Sequence, residues 1–233
     1  MIMLWETDSK NIIVNLLRSK IVDPRSRCET SDSSNTMTGD GSTNSYDLTF
    51  TGGNKGYSIT SVTGNASELK AFVDYTFDLQ NQTITINTTL GVVYVVTCKV
   101  GKTNWIFPDL NRKKITSITD YPRLNVKIVS TNGIREGNYT SNVYKTTSYM
   151  IHVWIKEKYK KSVDGIVYSG DALADYLSKK VVSVFEDDIN ELYPRLGNFD
   201  LNNVIEAVWI PESQLWHSVI DISLDNVKES DTF

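Results

Sequence analysis

The chain has 233 residues, of which 40% are hydrophobic and 22% charged, a globular composition that excludes wholesale disorder. The formal net charge of −4 argues against a general nucleic-acid binder, whose affinity comes from neutralising phosphates. No apolar run approaches the roughly 18 residues of a membrane span. The N-terminal residues lack the basic and apolar stretches of a secretory signal, so we expect none. Cys28 and Cys98 are expected to be reduced thiols, although a disulfide between them stays open.

Residues 11–21 form the first periodic segment and predict a helix of about three turns. Its apolar stripe consists of Ile13, Leu16, Leu17 and Ile21. Asp8 or Ser9 is placed to cap the helix, because a side-chain oxygen there accepts from free amides of the first turn. Pro24 predicts its end, since the residue before a proline disfavours the helical conformation.

A polar segment and then a β-rich segment follow. Residues 30–45 are rich in Ser, Thr and Gly, with almost nothing to bury, and predict a linker. Residues 46–107 contain short alternating runs separated by polar turns such as residues 80–82. This pattern predicts a small sandwich or barrel of about five strands.

After Pro108 the pattern is mixed. Strands are predicted at residues 124–129, 144–155, 203–210 and 217–224, and a helix at residues 170–185. Between the first two strands lies a loop, residues 130–143, that is too long for a tight turn and is therefore a candidate functional segment.

Without the β-rich segment, the order is helix, strand, strand, helix, strand, strand. Two helices on one face of a four-stranded sheet would bury both helical stripes at once. We therefore predict an α+β fold: an αββαββ core whose two helices cover one face of a mainly antiparallel four-stranded sheet, plus an inserted all-β domain. The predicted segments are 1–29 (N-terminal helix of the core), 30–45 (linker), 46–107 (inserted β domain), 108–225 (core) and 226–233 (polar tail).

The sequence shows no motif of catalytic chemistry: no nucleophile elbow, phosphate-binding glycine loop or zinc-protease motif. His152 lies inside a predicted strand and His217 at the start of another, which favours packed or interface histidines over catalytic ones. We therefore expect no enzymatic activity, no metal and no cofactor. The basic clusters at residues 112–114 and 156–161 are interpreted as solvated charge rather than a nucleic-acid contact.

The acidic run of Glu186, Asp187 and Asp188 has two interpretations. It lies near the end of a predicted helix, where the helix dipole disfavours negative charge. The simpler interpretation is a surface exposed to solvent. The more specific interpretation is contact with a basic neighbouring subunit.

Three segments resemble the tail-terminator (tail-completion) proteins of tailed bacteriophages and related archaeal viruses. They are residues 121–129 (YPRLNVKIV), 149–155 (YMIHVWI) and 170–177 (GDALADYL). The resemblance is moderate over residues 115–224 and weak over residues 1–27. The β-rich segment departs from the minimal terminator and resembles β modules of phage head–tail and neck proteins.

The resemblance implies a structural virion protein, assembled in the host cytoplasm, that forms a ring at the head-proximal end of the tail. Such a ring, typically a homo-hexamer, ends tube polymerisation and contacts the tail tube protein and the head-side connector. Viral DNA would pass through its lumen without sequence-specific binding, and no membrane is involved. The candidate oligomer or tail-tube interface consists of Arg135, Tyr139, Trp154, Glu186, Asp187 and Asp188.

Two alternatives remain open at the level of the sequence. One is another head–tail adaptor or head-closure protein with the same predicted helices, strands and β-rich segment. The other is a virion surface module that recognises a glycan or receptor through the β-rich segment.

Overall fold

The computed structural model describes residues 6–27, 31–71, 74–101, 104–108, 121–135, 143–192 and 196–228. It confirms a mixed α+β fold that is mostly strand, with largely antiparallel sheets. The chain divides into two compact units, residues 1–104 and residues 105–233. Neither α-helix in the described part of the chain is long and apolar enough to cross a membrane.

The first unit contains two antiparallel sheets. Its strands are β1 (Asp32–Thr38), β2 (Ser45–Asp47), β3 (Lys55–Gly64), β4 (Ser67–Glu68), β5 (Tyr75–Asp78), β6 (Thr83–Ile86) and β7 (Val93–Gly101). One sheet has the order β1-β7-β3-β4 and the other β2-β6-β5. Alternate residues of these strands are buried, such as Val96 and Cys98 of β7, so the period-two pattern of the sequence supplies the core.

The N-terminal helix α1 (Glu6–Lys20) belongs to the first unit, where it packs against β3 and β5. The predicted stripe is buried, together with Ile12 and Val14. The prediction that this helix is part of the later core is therefore wrong. Its polar side chains explain the difference, because Asn11, Asn15 and Arg18 hydrogen-bond to the backbone of β3 and β5. The helix also starts earlier than predicted, so Ser9 lies within it and is buried rather than capping it.

The predicted linker is largely strand. β1 pairs with β7 along its full length, from Asp32 opposite Lys99 to Thr38 opposite Val93, and β2 pairs with β6. Ser and Thr are compatible with an edge strand whose outer side chains face water, and a polar composition alone does not distinguish that from a loop. The residues predicted as a linker thus complete the first unit.

The second unit is built on a five-stranded sheet. Its strands are β8 (Ile106–Phe107), β9 (Arg123–Arg135), β10 (Val143–Lys156), β13 (Leu196–Ile210) and β14 (Leu215–Lys228). Their order in the sheet is β13-β14-β10-β9-β8. Because β8 pairs with β9, the second unit starts at Trp105, three residues before the predicted boundary. The sheet is antiparallel except for that pair.

Helix α2 (Gly170–Leu192) covers one face of this sheet. Ser178 of the helix hydrogen-bonds to Ser218 of β14 at 2.7 Å between the hydroxyl oxygens, so Ser218 marks the face towards the helix. On that face the alternate residues of β10 from Tyr149 to Ile155 are fully buried. Apart from the short strand β8 and a small hairpin before α2, the described order of the second unit is ββαββ, with one helix on the sheet where the sequence predicted two.

The predicted loop 130–143 is strand at both ends. β9 and β10 continue their pairing to Arg135 opposite Val143, which leaves 136–142 outside the described residues. Residues 130–135 and 143–147 are mainly Ser, Thr and aliphatic residues, which favour an extended ladder although they lack a clear apolar alternation.

A small hairpin between β10 and α2 was not predicted. It consists of β11 (Lys160–Val163) and β12 (Ile166–Ser169). Its turn residues Asp164 and Gly165 both have positive φ, 51° and 81°, as a two-residue hairpin turn requires. An Asp-Gly pair between two apolar residues is a strong local hairpin signal, so this element was readable from the sequence.

Candidate interaction surface

Strand β13 lies at an open edge of the second unit's sheet and exposes aliphatic side chains. Among the described strands only β14 pairs with it. The exposed residues are Leu201 (39%), Val204 (40%), Ile205 (45%) and Val208 (56%), which we call the β13 patch. Unpaired backbone groups combined with exposed aliphatic side chains make an edge strand a template for association.

The β13 patch occupies both faces of the strand. Ile205 is opposite Val219, and Val208 is opposite His217, on the face away from α2. Leu201 is opposite Ile222 and Val204 opposite Ile220, on the face that α2 covers further into the sheet. The middle of β13 therefore extends beyond the cover of the helix, and a partner could contact it from either side.

The backbone of β13 is irregular. Its register against β14 shifts at three points, between residues 196 and 199, between 201 and 203 and between 205 and 208, which leaves regular stretches of three residues at 199–201, 203–205 and 208–210. Such bulges interrupt the row of unpaired backbone groups that would otherwise accept a long added strand. The side chains of the patch, more than its backbone groups, therefore form the surface available for contact.

A cluster of aromatic rings continues the β13 patch on the face away from α2. Trp154 and His217 are opposite each other on β10 and β14, and their rings stack with centroids 3.7 Å apart. His152 is nearly coplanar with His217, and its Nδ1 lies 2.9 Å from the Nε2 of His217. We call His152, Trp154 and His217 the His–Trp cluster. Since Val208 is opposite His217, the patch and the cluster form one surface.

Both histidines of the cluster are held neutral. Burial, followed by the charge of Lys127, lowers the pKa of His152. Burial, followed by the neighbouring His152, lowers the pKa of His217 to about 4. Geometry gives the same direction, because one neutral ring must donate and the other accept across the 2.9 Å contact between them. Protonation of both rings would place two N–H groups against each other and break that hydrogen bond.

The tautomer of the pair follows from the other nitrogen of His152. Its Nε2 is buried and has no hydrogen-bond partner in the described part of the chain. A buried N–H without an acceptor is costly, so Nε2 is the unprotonated nitrogen, and Nδ1 donates to Nε2 of His217. The pair thus shares one internal hydrogen bond at neutral pH, and both of its rings are uncharged.

The structure separates the predicted interface residues. Trp154 lies beside the β13 patch, whereas Glu186 and Asp187 are exposed on α2, on the opposite face of the sheet. Helix α2 continues to Leu192, so these carboxylates lie further from its end than predicted. The side chain of Asp188 is outside the described residues, although its backbone lies in α2. The exposed carboxylates of Glu186 and Asp187 and the side chain of Trp154 therefore do not form one site.

Of the other two predicted interface residues, one is described by its backbone alone and one is not described. The backbone of Arg135 ends β9, and its side chain is outside the described residues. Tyr139 lies outside them entirely.

Neither a reactive cysteine nor a group of metal ligands is found in the described part of the chain. Cys98 is a free, fully buried thiol in β7. Burial, followed by the charge of Asp32, raises its pKa to about 12. Cys28 lies outside the described residues. No group of three or more His, Cys, Asp and Glu side chains that could hold a metal ion occurs among the residues that were described.

Comparison with protein-family models, with curated proteins and with solved structures finds no match for this chain. The surface formed by the β13 patch and the His–Trp cluster is therefore the feature that bears on function.

Proposed function

We propose that this chain is a structural virion protein that assembles into a homo-hexameric ring at the head-proximal end of a viral tail. In this role, that of a tail terminator, the ring ends polymerisation of the tail tube and joins the tail to the head. Its partners are further copies of itself, the tail tube protein and the head-side connector.

The observation that carries the proposal is the β13 patch. An edge strand with four exposed aliphatic side chains favours association, and closure of a ring of identical subunits covers every such edge at once. The neighbouring His–Trp cluster adds aromatic side chains, which anchor many protein–protein interfaces.

The second unit also supports the resemblance to tail terminators. Its ββαββ order, with α2 on one face of the sheet, matches the later part of the predicted αββαββ core. The first helix instead completes the preceding unit, so the β-rich segment and α1 together form a separate module. The proposed ring is therefore built from the second unit, with the first unit as an added module.

The charge of the chain suits a channel for DNA. With a formal net charge of −4 it does not attract phosphates over long range, so DNA can slide past without sequence-specific binding.

Two measurements test this proposal. Light scattering over a range of concentrations, with negative-stain images of the large species, is expected to show rings of the purified chain. Added to polymerising tail tube protein of the same virus, the chain is expected to shorten the tubes. Rings that bind the head-side connector but leave tube length unchanged would instead identify an adaptor or head-closure protein. A chain that forms no ring, alone or on tubes, would contradict the proposal.

A second candidate is a virion surface module that binds a glycan or receptor through the first unit. The observation that favours it is a row of hydroxyl groups across the outer face of β1 and β7, where Ser34 and Thr97 hydrogen-bond at 3.1 Å in an exposed position. Thr36 lies on the same face, opposite Val95. Binding of the full chain to a glycan array, lost in Thr97→Val, would support this candidate, and no binding would exclude it.

A further inference from the structure

We infer that the occupant of the β13 patch is the β11–β12 hairpin of a second copy of this chain, in a head-to-tail contact. This inference rests on the proposed ring and names the two surfaces that meet in it. It follows from the charge and exposure of two elements of the second unit.

The β13–β14 hairpin is acidic. Between residues 196 and 228 it has one cation, Lys228 at the end of β14, and five carboxylates: Asp200, Glu206, Glu212, Asp221 and Asp225. Glu206 is exposed on β13 itself, between Ile205 and Val208 of the patch. An apolar surface with acidic residues around it selects a partner that is apolar and basic.

The β11–β12 hairpin has that character. Ile166 and Val167 of β12 are 58% and 64% exposed. Lys158 and Lys160 are exposed beside them, and Lys161 is half-buried. Glu157, the nearest carboxylate on the β10 side, is already bonded to the indole N–H of Trp216. Against these three lysines the hairpin has one carboxylate of its own, Asp164 at the turn, so it presents two aliphatic side chains together with an excess of positive charge.

A contact between unlike surfaces explains both patches with one partner. Pairing two β13 patches would bring together two hairpins with five carboxylates each, which is electrostatically unfavourable. Pairing β13 with the basic hairpin of a neighbour joins opposite charges and covers aliphatic residues on both sides. Each copy then uses one surface of each kind, which is the head-to-tail arrangement that a ring of six copies requires.

Cross-linking between chains that each have one introduced cysteine tests the contact. One full-length chain has Ile205→Cys and the other Val167→Cys, both with Cys28→Ser, and one of them has a mass tag. Cys98 stays in place because it is fully buried. The chains are mixed and treated with a short bismaleimide. Leu90→Cys, on an exposed residue (76%) of the first unit, is the matched control.

We expect the 205–167 cross-link to exceed both the 205–205 cross-link and every control cross-link by about tenfold, because contact raises the effective concentration. A dominant 205–205 cross-link would overturn the inference in favour of a like-with-like edge contact. Light scattering of the same untreated samples separates the two proposals. Rings without the 205–167 cross-link would overturn this contact but not the proposed ring. When tail tube protein is added to the mixture, cross-linking of residue 205 to that protein alone would have the same meaning. A chain that is monomeric and not cross-linked would overturn both.

Discussion

Two strand edges in this molecule differ in whether another element of the chain covers them. In the first unit, the outer edge of β3 is covered by α1, where Asn15 accepts a hydrogen bond from the Ile59 amide at 2.8 Å and donates to its carbonyl at 3.3 Å. Arg18 donates to the carbonyl of Tyr57. In the second unit, β13 has no such cover in the described part of the chain and exposes four aliphatic side chains.

The comparison shows what the β13 patch lacks. A helix whose amide side chains replace a missing strand satisfies the edge of β3 within the chain, as buried backbone groups require. The edge of β1 is also open, but its exposed side chains are Ser, Thr and Asp, which water solvates well. Among the described edge strands, β13 exposes the largest set of aliphatic side chains, so we expect its cover to come from another molecule.

The largest expected effect comes from removing the cover of β3. Asn15→Ala leaves the buried N–H and C=O of Ile59 without their partner and is expected to lower the free energy of unfolding of the first unit by about 2–4 kcal/mol. Chemical denaturation measures the loss, with the reactivity of the buried Cys98 thiol reporting on the first unit.

Asn11→Ala is the matched control, because it lies on the same helix and makes one partly buried bond to the Phe77 carbonyl at 3.2 Å. We expect it to lower the free energy of unfolding by only about 1 kcal/mol. Equal losses for the two variants would show that the edge of β3 does not depend on Asn15.

The β13 patch is expected to affect association and not folding. Val208→Thr keeps the shape and branching of the side chain, but it places a hydroxyl in the proposed contact. We expect the dissociation constant between copies to rise about tenfold, equal to about 1.4 kcal/mol, with the free energy of unfolding changed by less than about 0.5 kcal/mol.

Val93→Thr provides the comparison for that variant, since Val93 is also partly exposed (40%) but lies on β7 in the first unit. Sedimentation velocity over a concentration series measures both variants. Identical association of the two would remove the β13 patch from the interface.

The His–Trp cluster predicts a loss of stability in acid. Both histidines have a lowered pKa in the folded chain, so the unfolded chain binds more protons between about pH 6.5 and 4. The free energy of unfolding should therefore be highest above pH 6.5 and fall as the pH falls through this window. The loss should be on the order of 1 kcal/mol, because both rings are partly exposed and screened by solvent.

His217→Phe keeps a ring to stack on Trp154 and removes the titrating group with the lowest pKa. Urea denaturation at pH 7 and pH 5 should therefore show a smaller loss for this variant than for the unaltered chain. An equal loss in both chains would show that other groups cause the pH dependence.

The smallest expected effect concerns the β11–β12 hairpin. Gly165 has φ of 81°, and a Cβ added there would meet no atom within 4 Å. The cost of Gly165→Ala is therefore that of the backbone conformation alone, about 0.5–1 kcal/mol. We expect faster amide hydrogen exchange in residues 160–169, and a smaller change for Gly165→Asn, since Asn tolerates positive φ better. Unchanged exchange in the alanine variant would show that the turn does not stabilise the hairpin.

Periodicity in the sequence was sufficient for most elements of the fold. The apolar stripe of α1, the β-rich segment and α2 all follow from spacing, because each has one face to bury. Placement of α1 did not follow, since its partner was decided by Asn11, Asn15 and Arg18, polar residues whose hydrogen bonds no apolar stripe reveals.

The candidate surface was only partly predictable. Trp154 was identified as an interface residue from its type alone, and the structure places it beside the β13 patch. The patch itself was not identified, because adjacent apolar residues such as Val204 and Ile205 are typical of a strand buried on both faces. Their exposure depends on strand order and on where α2 ends its cover, which are properties of the three-dimensional fold.

Hydrogen exchange of the unaltered chain at low and high concentration tests most directly whether a second copy covers β13. We expect amides of residues 200–208 to exchange more slowly as the concentration rises, while those of β1, the polar open edge, stay unchanged. Equal exchange of β13 at both concentrations, or slowing of β1 alone, would contradict the account.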